Sequence, residues 1–495
     1  MSKKPLFEFI DRERSMPKRV PLELRREGDW SELYGRFATE EAKQQASRCL
    51  DCGNPYCTTG CPLTNRIPQW LELAREGRVV EAATLCHETN PLPEICGRVC
   101  PQDRLCEGAC TLDDGFGAVT IGAVEKYITD AAFAQGWRPD LSTAPATGKR
   151  VAVVGAGPAG LACADRLVRA GIKAVVFDRY EKIGGLLQFG IPTFKLDREV
   201  LAKRRDVLDG MGVQFRLGVE VGRDVSLQSL LEAFDAVFLG IGSYRYTDGR
   251  LPGQDLANVL PALPFLVQNG RIVGGDDPRG RPIAGWEDHV TLPDLRGKRV
   301  VVLGGGDTGM DCMRSAVRLG ARSVTCLYRR DESAMPGSVR EVANAREEGV
   351  QFLFNQLPLA LLGEDSVRAV RVAETRLDAS DDTGRRGIEP VPGSEREIEA
   401  DVVIIAFGFQ PEPPDWLAQH GIEAEANGRI RVAPRARYGV HSPRRLAYQT
   451  THPKIFAGGD GVRGADLVVT AVQEGRDAAA SIARLLRDPA TSGAA

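Results

Sequence analysis

The sequence predicts an α/β protein in which a helical, cysteine-rich N-terminal domain precedes two Rossmann-like dinucleotide-binding domains, the second inserted in the first. Three observations predict this organisation. Nine of the twelve cysteines lie between Cys49 and Cys110. Glycine-rich turns follow apolar strands at Gly155 and at Gly304, and the strand-rich residues 400–495 carry no third turn of this kind. We therefore expect this last segment to return to the first dinucleotide domain.

The changes in composition along the chain predict where the domains begin and end. Residues 138–149 are rich in Pro, Ser, Thr and Ala, which is typical of a linker. We predict a helical domain over residues 1–145. The first dinucleotide domain is expected to comprise residues 146–285 and 400–495, and the second to comprise residues 286–399.

The charge and hydropathy of the 495 residues exclude some classes of function. The 64 Lys and Arg residues nearly balance the 67 Asp and Glu residues, which argues against a nucleic-acid or anionic-membrane surface. No stretch is long and apolar enough to be a transmembrane helix or a secretion signal. We expect a cytoplasmic protein. In that reducing compartment, clustered cysteines favour metal ligation over disulfides.

The first glycine-rich turn has the spacing of a dinucleotide site. The apolar residues 151–154 lead into Gly155, Gly157 and Gly160. This spacing allows a tight turn, close approach of a diphosphate and close packing of the following helix. Asp178 ends the next strand, where its carboxylate can accept hydrogen bonds from a ribose. The alternative is a glycine turn that binds no ligand.

A second turn repeats this spacing. Its candidate cofactor-binding residues are Gly304, Gly306, Asp307, Thr308 and Gly309. Where the first unit has Asp178, the second has Leu327, followed by Arg329 and Arg330. Guanidinium groups at this strand end suit a 2′-phosphate, so NADPH is favoured over NADH. In the alternative interpretation, the two arginines are a solvated surface pair neutralised by the acidic residues that follow them.

A third strand, near the C-terminus, leads into Gly459 and Asp460. An acidic residue at such a strand end can bind the ribityl or diphosphate groups of a flavin, and the helix that follows would begin near the ring system. A purely structural turn is the competing interpretation.

The cysteines fall into two groups of four with close spacing. The first group is Cys49, Cys52, Cys57 and Cys61, and the second is Cys96, Cys100, Cys106 and Cys110. Because a cysteine before proline often ligates the other cluster in two-cluster ferredoxins, we expect the groups to interleave. The expected ligand sets are Cys49, Cys52, Cys57 and Cys110 for one 4Fe-4S cluster, and Cys61, Cys100 and Cys106 for the other. One ligand is left open, and a zinc site is the alternative.

The chain resembles the small-subunit family of bacterial NADPH-dependent glutamate synthases over nearly its whole length. The resemblance is carried by CLDCGNPYC, GRVCPQDRLCEGAC, GGLLQFGIPTFKL, GGGDTGMDC and GDGVRGADLVVTAVQEGRDAA. It implies FAD in the first dinucleotide domain, NADPH in the second and two 4Fe-4S clusters in the N-terminal domain. It also implies a hetero-oligomer with a large glutamate synthase subunit.

The resemblance also implies roles for particular residues. Glu125 is implied as the eighth cluster ligand, with Cys96 as the alternative. Gly185 and Lys195 belong to the segment that resembles the family's flavin-side loop, although Lys195 could instead be a surface lysine.

The resulting functional hypothesis is that the chain oxidises NADPH by hydride transfer to FAD. It would then pass electrons singly through two clusters to the large subunit, which forms glutamate from glutamine and 2-oxoglutarate. No acid–base residue is expected. One alternative is a related flavin and iron-sulfur subunit that serves ferredoxin or another electron partner. A second alternative is a zinc-stabilised docking protein.

Overall fold

The computed structural model describes residues 7–277, 280, 292–380, 386–435 and 445–487. In this part of the chain the N-terminal domain is helical, and the remainder is built on two parallel sheets, one four-stranded antiparallel sheet and one two-stranded antiparallel sheet. The predicted α/β fold class is confirmed, with the second parallel sheet inserted between strands of the first.

The N-terminal domain consists of short helices packed around Trp70, which is fully buried. Its α-helices are Glu8–Asp11, Leu22–Arg26, Thr39–Ala46, Tyr56–Gly60, Ile67–Arg75, Val79–Thr89, Pro93–Val99, Asp113–Phe116 and Ile121–Ala134, with a 3-10 helix at Gln102–Arg104. Most of these helices are shorter than the length that is stable in isolation, so tertiary packing must stabilise them.

The first parallel sheet has five strands. In spatial order they are Ile455–Ala457, Ala236–Leu239, Arg150–Val154, Lys173–Asp178 and Gln214–Leu217. The central strands are almost continuously buried, as expected for a parallel sheet covered on both faces. The helices of this unit are Pro158–Arg169, Leu186–Phe189, Arg198–Gly210, Leu227–Ala233, Trp416–Gln419, Asp460–Arg463 and Val468–Arg487.

The second parallel sheet also has five strands. In spatial order they are Val259–Pro261, Val402–Ile405, Arg299–Leu303, Ser323–Leu327 and Gln351–Leu353. Its helices are Ala262–Val273, Asp307–Arg318 and Val339–Glu347, with a 3-10 helix at Glu332–Ala334. An antiparallel sheet of Gln356–Gly363, Val367–Ser380, Arg386–Pro390 and Arg396–Glu399 extends from this unit.

The structure corrects the predicted boundaries between the two dinucleotide units. Val259–Pro261 and Val402–Ile405 lie in the second sheet, although the sequence analysis placed both in the first domain. The chain crosses between the units at Arg245–Tyr246 and returns at Phe409–Gln410, and these two segments pair with each other. A short apolar run shows that a strand is buried but not which sheet it joins. The predicted boundary at residue 285 lies outside the described residues.

Candidate functional site

A cleft of about 420 Å³ lies where the N-terminal domain and the two dinucleotide units meet. The N-terminal domain contributes residues 97–101 to its wall. The cofactor-binding residues predicted from the sequence that line the cleft are Gly155, Gly157, Asp178, Gly185, Lys195, Asp307, Thr308, Gly459 and Asp460, and the predicted cluster ligand Cys100 also lines it. Those that do not line it are Gly160, Gly304, Gly306, Gly309, Arg329 and Arg330. The structure therefore brings together residues from separate parts of the chain.

The first glycine-rich turn has three distinct steric requirements. Gly155 has φ +105, and a Cβ there would lie 2.2 Å from the carbonyl oxygen of Gly240. A Cβ at Gly160 would lie 1.8 Å from the oxygen of Gly155, which brings the helix close to the strand. A Cβ at Gly157 would meet no atom within 4 Å. The space beside Gly157 therefore suits a bound ligand rather than protein packing.

Asp178 connects the end of the strand Lys173–Asp178 to this turn by hydrogen bonds. Its carboxylate accepts hydrogen bonds from the backbone N–H of Ala156 (2.6 Å) and of Tyr180 (2.8 Å). Burial raises the pKa of Asp178, and the two backbone donors oppose that shift. Each carboxylate oxygen has more than one acceptor site, so Asp178 can still receive a ribose hydroxyl.

The segment around Gly459 closes the cleft on the side of the first unit. The Gly459 N–H donates to the carboxylate of Glu474 (2.7 Å), which also pairs with Arg463 (2.7 Å). Burial, followed by the neighbouring carboxylate of Asp466, raises the pKa of Asp460 to about 7. The helix that begins at Val468 starts at the cleft wall, where its unpaired N–H groups favour negative charge.

The second glycine-rich turn repeats the geometry of the first. Gly304 has φ +120, and a Cβ there would lie 2.4 Å from the Ala406 oxygen. A Cβ at Gly309 would lie 2.6 Å from the Gly304 oxygen. The nearest atom to a Cβ at Gly306 is 3.9 Å away. The two units thus share one turn geometry that leaves room at its middle glycine.

Arg329 and Arg330 follow the strand Ser323–Leu327 and lie away from the cleft, with Arg329 exposed. The two acidic residues that could pair with them, Asp331 and Glu332, make contacts with other groups. The Asp331 carboxylate accepts from Ser333 and from the N–H of Ala334, and Glu332 pairs with Arg346 (2.8 Å). The partners proposed in the surface-pair interpretation are thus largely committed to other groups.

Lys195 is not a surface lysine, because only 14% of its side chain is exposed. Its Nζ lies 2.8 Å from Asp311 and 3.7 Å from Glu341, both on helices of the second unit. Burial opposes the charged form of Lys195, but these two carboxylates outweigh it and raise its pKa. Lys195 lines the cleft and connects the flavin-side loop of the first unit to the second unit.

Two small cavities in the N-terminal domain collect the cysteines. The first is lined by Cys49, Cys52, Cys57 and Cys110, the set expected for one cluster. Burial raises the pKa of the Cys57 thiol to about 12, and the Cys49 and Cys110 thiols add to the shift. Thiolates in this cavity therefore need a compensating positive charge, which a bound iron cluster would supply.

The second cavity is lined by Cys61, Cys96, Cys100, Cys106 and Glu125. It brings the three expected cysteines together with both candidates for the open ligand position. The Glu125 carboxylate accepts from the side-chain amides of Asn65 (3.0 Å) and Asn90 (3.2 Å). Burial raises the pKa of Glu125 to about 8, although both amides oppose the shift. Cys96 Sγ lies 3.7 Å from the Asn90 oxygen.

The arrangement of these groups does not match a site for a single zinc ion. Within the described ranges, no three His, Cys, Asp or Glu side chains converge closely enough to hold a single metal ion. Four thiolates on one zinc ion would lie about 4 Å apart, given Zn–S bonds of about 2.3 Å. A 4Fe-4S cube separates its ligands further, because each thiolate binds a different iron.

Several residues that position the site were not predicted from the sequence. Asn65 and Asn90 hold Glu125, Glu474 holds Gly459, and Asp311 receives Lys195. None belongs to a motif whose spacing implies chemistry. Glu474 does fall within the segment QEGRDAA that carries the family resemblance.

Comparison with known proteins establishes the family. The chain is 57% identical over 476 residues to the glutamate synthase small chain (NADPH) of Halomonas elongata, covering 96% of this chain and 97% of that protein. It is 55% identical over 480 residues to the corresponding small chain of Escherichia coli, covering 96% and 98%. The chain belongs to the family of NADPH glutamate synthase small chains.

Domain families and solved structures agree with this membership. The family described as dihydropyrimidine dehydrogenase domain II, 4Fe-4S cluster, matches residues 26–137, and the pyridine nucleotide-disulphide oxidoreductase family matches residues 149–475. Mycobacterium tuberculosis FprA in complex with NADPH has the same fold, with a TM-score of 0.54 and 19% identity over 70% of this chain and 86% of that chain. This small chain is therefore a flavin-dependent NADPH oxidoreductase with a 4Fe-4S domain. None of its described helices combines the length and apolar character needed to span a membrane.

Proposed function

We propose that the chain oxidises NADPH bound in the second unit by hydride transfer to FAD bound in the first. Electrons then leave singly, through two 4Fe-4S clusters, to a glutamate synthase large subunit that forms glutamate from glutamine and 2-oxoglutarate. The observation that carries this proposal is that Cys100 lies between the cleft and the second cysteine cavity. This cysteine lines both the cleft between the dinucleotide turns and the second cysteine cavity.

The residues of the chain contribute binding, orientation and exclusion of water. The free space beside Gly157 and Gly306, at the starts of two helices, would receive the diphosphates, and Asp178 would accept a hydrogen bond from a ribose hydroxyl. Arg329 and Arg330 are proposed to receive the 2′-phosphate at the open side of the second unit. FAD, when bound, supplies the chemistry that accepts a hydride and releases electrons one at a time. No side chain needs to act as an acid, base or nucleophile in the hydride step.

The two cavities occupy different positions relative to the cleft. The second cavity adjoins it through Cys100, whereas Tyr56, on the wall of the first cavity, is 57% exposed. The first cavity therefore lies near the surface that a protein partner could approach. We propose that the partner, the large subunit, meets the chain there and that both operate in the cytoplasm.

We propose Glu125, rather than Cys96, as the eighth ligand, because two amides already fix its carboxylate in the cavity. Iron content tests this choice. Glu125→Ala should lose about half of the bound iron, the share of one cluster of two, whereas Cys96→Ala should retain all of it. Cys86→Ala is the matched control, since Cys86 is a buried thiol of the same domain outside both cavities. The reverse outcome would assign the position to Cys96.

A second candidate function is favoured by one relative. The Escherichia coli protein named putative oxidoreductase AegA is 53% identical over 474 residues, which cover 95% of this chain but only 69% of that protein. A chain of this kind can therefore belong to an oxidoreductase of another architecture. In this alternative, the chain delivers electrons to ferredoxin or another partner.

Copurification separates the two candidates. The chain, tagged and purified without air from its own cells, should bring down a large subunit, and the complex should form glutamate from glutamine and 2-oxoglutarate with NADPH. NADPH oxidation with a one-electron dye but no glutamate-forming partner would favour the second candidate. Absence of NADPH oxidation with any acceptor would contradict both.

A further inference from the structure

The loop of residues 100–106 is bonded directly to the second dinucleotide unit. The Asp103 carboxylate accepts a hydrogen bond from the Ser338 hydroxyl (3.0 Å). In the opposite direction, Arg340 donates to the carbonyl oxygen of Cys100 (3.3 Å). A segment that carries two proposed cluster ligands therefore packs against the unit proposed to hold NADPH.

The most direct of these contacts involves Arg104 and Asp307. Arg104 Nη2 lies 3.0 Å from Asp307 Oδ2, and Arg104 Nη1 donates to the carbonyl oxygen of Pro336 (2.7 Å). The other oxygen of Asp307 accepts from the N–H of Ser338 (2.9 Å). Arg104 thus fixes the carboxylate from one side while the backbone fixes it from the other.

Asp307 stands at a position where its charge matters for an anionic ligand. It is the first residue of the helix Asp307–Arg318, directly after Gly306, and it lines the cleft. The start of a helix attracts a diphosphate, but a carboxylate at the same place repels it. A cation beside the carboxylate reduces that repulsion. Among the described residues, Arg104 is the cation in contact with Asp307, in a pair whose side chains are 41% and 37% exposed.

We propose that Arg104, supplied by the cysteine-rich domain, is a positioning residue for NADPH that acts by neutralising and orienting Asp307. This inference rests on the proposed placement of NADPH in the second unit. It makes the dinucleotide site incomplete without the docked cysteine-rich domain. It also gives the loop between two cluster ligands a direct effect on the affinity for NADPH.

A double-mutant cycle tests this role. The affinity for NADP⁺ is measured by titration calorimetry on the FAD-loaded complex, for Arg104→Ala, Asp307→Asn and the double variant. Arg104→Ala should weaken binding roughly tenfold, because it leaves a bare carboxylate beside the diphosphate. The double variant should bind like Asp307→Asn alone, since the carboxylate that needs neutralising is gone. Arg104→Lys should recover much of the affinity, and KM for NADPH should follow the binding results while kcat stays nearly constant.

Arg78→Ala provides the matched control. Arg78 is an exposed arginine of the same domain that pairs with Glu76 and Glu81, and its loss should leave the affinity unchanged. The inference is overturned if Arg104→Ala binds NADP⁺ with native affinity. It is also overturned if the double variant is as weak as Arg104→Ala, because the effect would then come from docking alone.

Gly306→Val distinguishes failure of this inference from failure of the proposed function. If that variant retains native affinity for NADP⁺, the placement of NADPH in the second unit is wrong, and the role of Arg104 falls with it. If Gly306→Val abolishes binding while Arg104→Ala changes nothing, only the role of Arg104 is refuted.

Discussion

The two dinucleotide units share one turn geometry, but the helices behind the turns are held by different forces. The helix Pro158–Arg169 packs against Val468–Arg487, and a Cβ at Gly475 would lie only 1.9 Å from the oxygen of Ala159. Close backbone approach holds this helix against its partner, and its buried carboxylate, Asp165, pairs within the helix with Arg169 (2.8 Å). The helix Asp307–Arg318 is instead held by buried ion pairs.

The ion pairs of the second unit join groups from all parts of the molecule. Arg314 and Arg318 pair with Glu348 at 2.9 Å and 2.8 Å, and Arg25 of the N-terminal domain approaches the same carboxylate at 3.4 Å. Both helical arginines also lie over the ring of Phe194 in the first unit, at 4.6 Å and 4.1 Å. The difference therefore concerns these two helices, because elsewhere the first unit also has a buried ion pair to the N-terminal domain, between Arg204 and Glu94 (2.5 Å). The helix Pro158–Arg169 depends mainly on close packing, whereas the helix Asp307–Arg318 depends on charges placed by its neighbours.

Removing the charge of Glu348, which lies at the centre of these ion pairs, should have the largest effect on stability. Glu348→Gln leaves the buried Arg318 without its charged partner and leaves Arg314 with Glu341 alone, so we expect a loss of about 3–5 kcal/mol in the free energy of unfolding. Glu389→Gln is the control, because Glu389 forms an exposed pair with Arg376 and should cost under about 1 kcal/mol. Urea unfolding of both variants measures the difference. A small effect for Glu348→Gln would show that the ion cluster does not hold the second unit.

The same carboxylate predicts a pH dependence. Burial alone would raise the pKa of Glu348, but hydrogen bonds from Arg314 and Arg318 outweigh it and lower the pKa to about 2. A carboxyl group whose pKa is lowered by folding stabilises the fold fully at pH values above its ordinary pKa. This stabilisation is lost as the pH falls towards 2. The difference in stability between Glu348→Gln and the native chain should therefore be constant above about pH 5 and shrink as the pH falls from about 4.5 towards 2. A constant difference would contradict this assignment.

The middle glycines of the turns should separate the two ligands. Gly157→Val should reduce FAD retention on the order of a hundredfold without removing the NADP⁺ site, and Gly306→Val should do the reverse, because each added side chain clashes with one ligand only. Both positions have negative φ and free space, so the fold should tolerate the substitutions. Flavin absorbance and NADP⁺ titration measure the two effects. Loss of the same ligand from both variants would refute the division of roles.

Packing of the first unit should be sensitive to one methyl group. Gly475→Ala forces the added Cβ against the Ala159 oxygen, and we expect a loss of about 1–3 kcal/mol in the free energy of unfolding. Gly210→Ala is the control, because a Cβ there meets no atom within 4 Å. Thermal unfolding compares the two variants. Equal stability of the two variants would mean that these two helices can move apart to accommodate the methyl group with no loss of free energy of unfolding.

The smallest expected effect concerns the preference for NADPH over NADH. Replacing Arg329 and Arg330 together by Ala should raise KM for NADPH about tenfold and leave that for NADH nearly unchanged, since only NADPH carries the 2′-phosphate. Arg322→Ala is the control for loss of positive charge in the same unit. Steady-state kinetics with both nucleotides supplies the measurement. An equal rise for NADH would show that these arginines do not recognise the phosphate.

Local spacing predicted much of the fold and of the candidate site. The glycine spacing at Gly157 and Gly306 predicted both turns, because that geometry is determined within a few residues. Contacts between distant residues could not be predicted in this way. The amide of Asn65 reaches Glu125 across 60 residues, and Lys195 reaches Asp311 across 116. Such pairs arise from how the domains pack, which no single segment encodes.

The proposal as a whole requires one FAD in the cleft and one 4Fe-4S cluster in each of the two cysteine cavities. The most direct test is the content of iron, acid-labile sulfide and FAD in the protein purified without air, together with any partner that copurifies. After subtraction of the partner's own cofactors, the account predicts about eight iron and eight sulfide for each FAD. Zinc in place of iron, or about four iron per FAD, would contradict it.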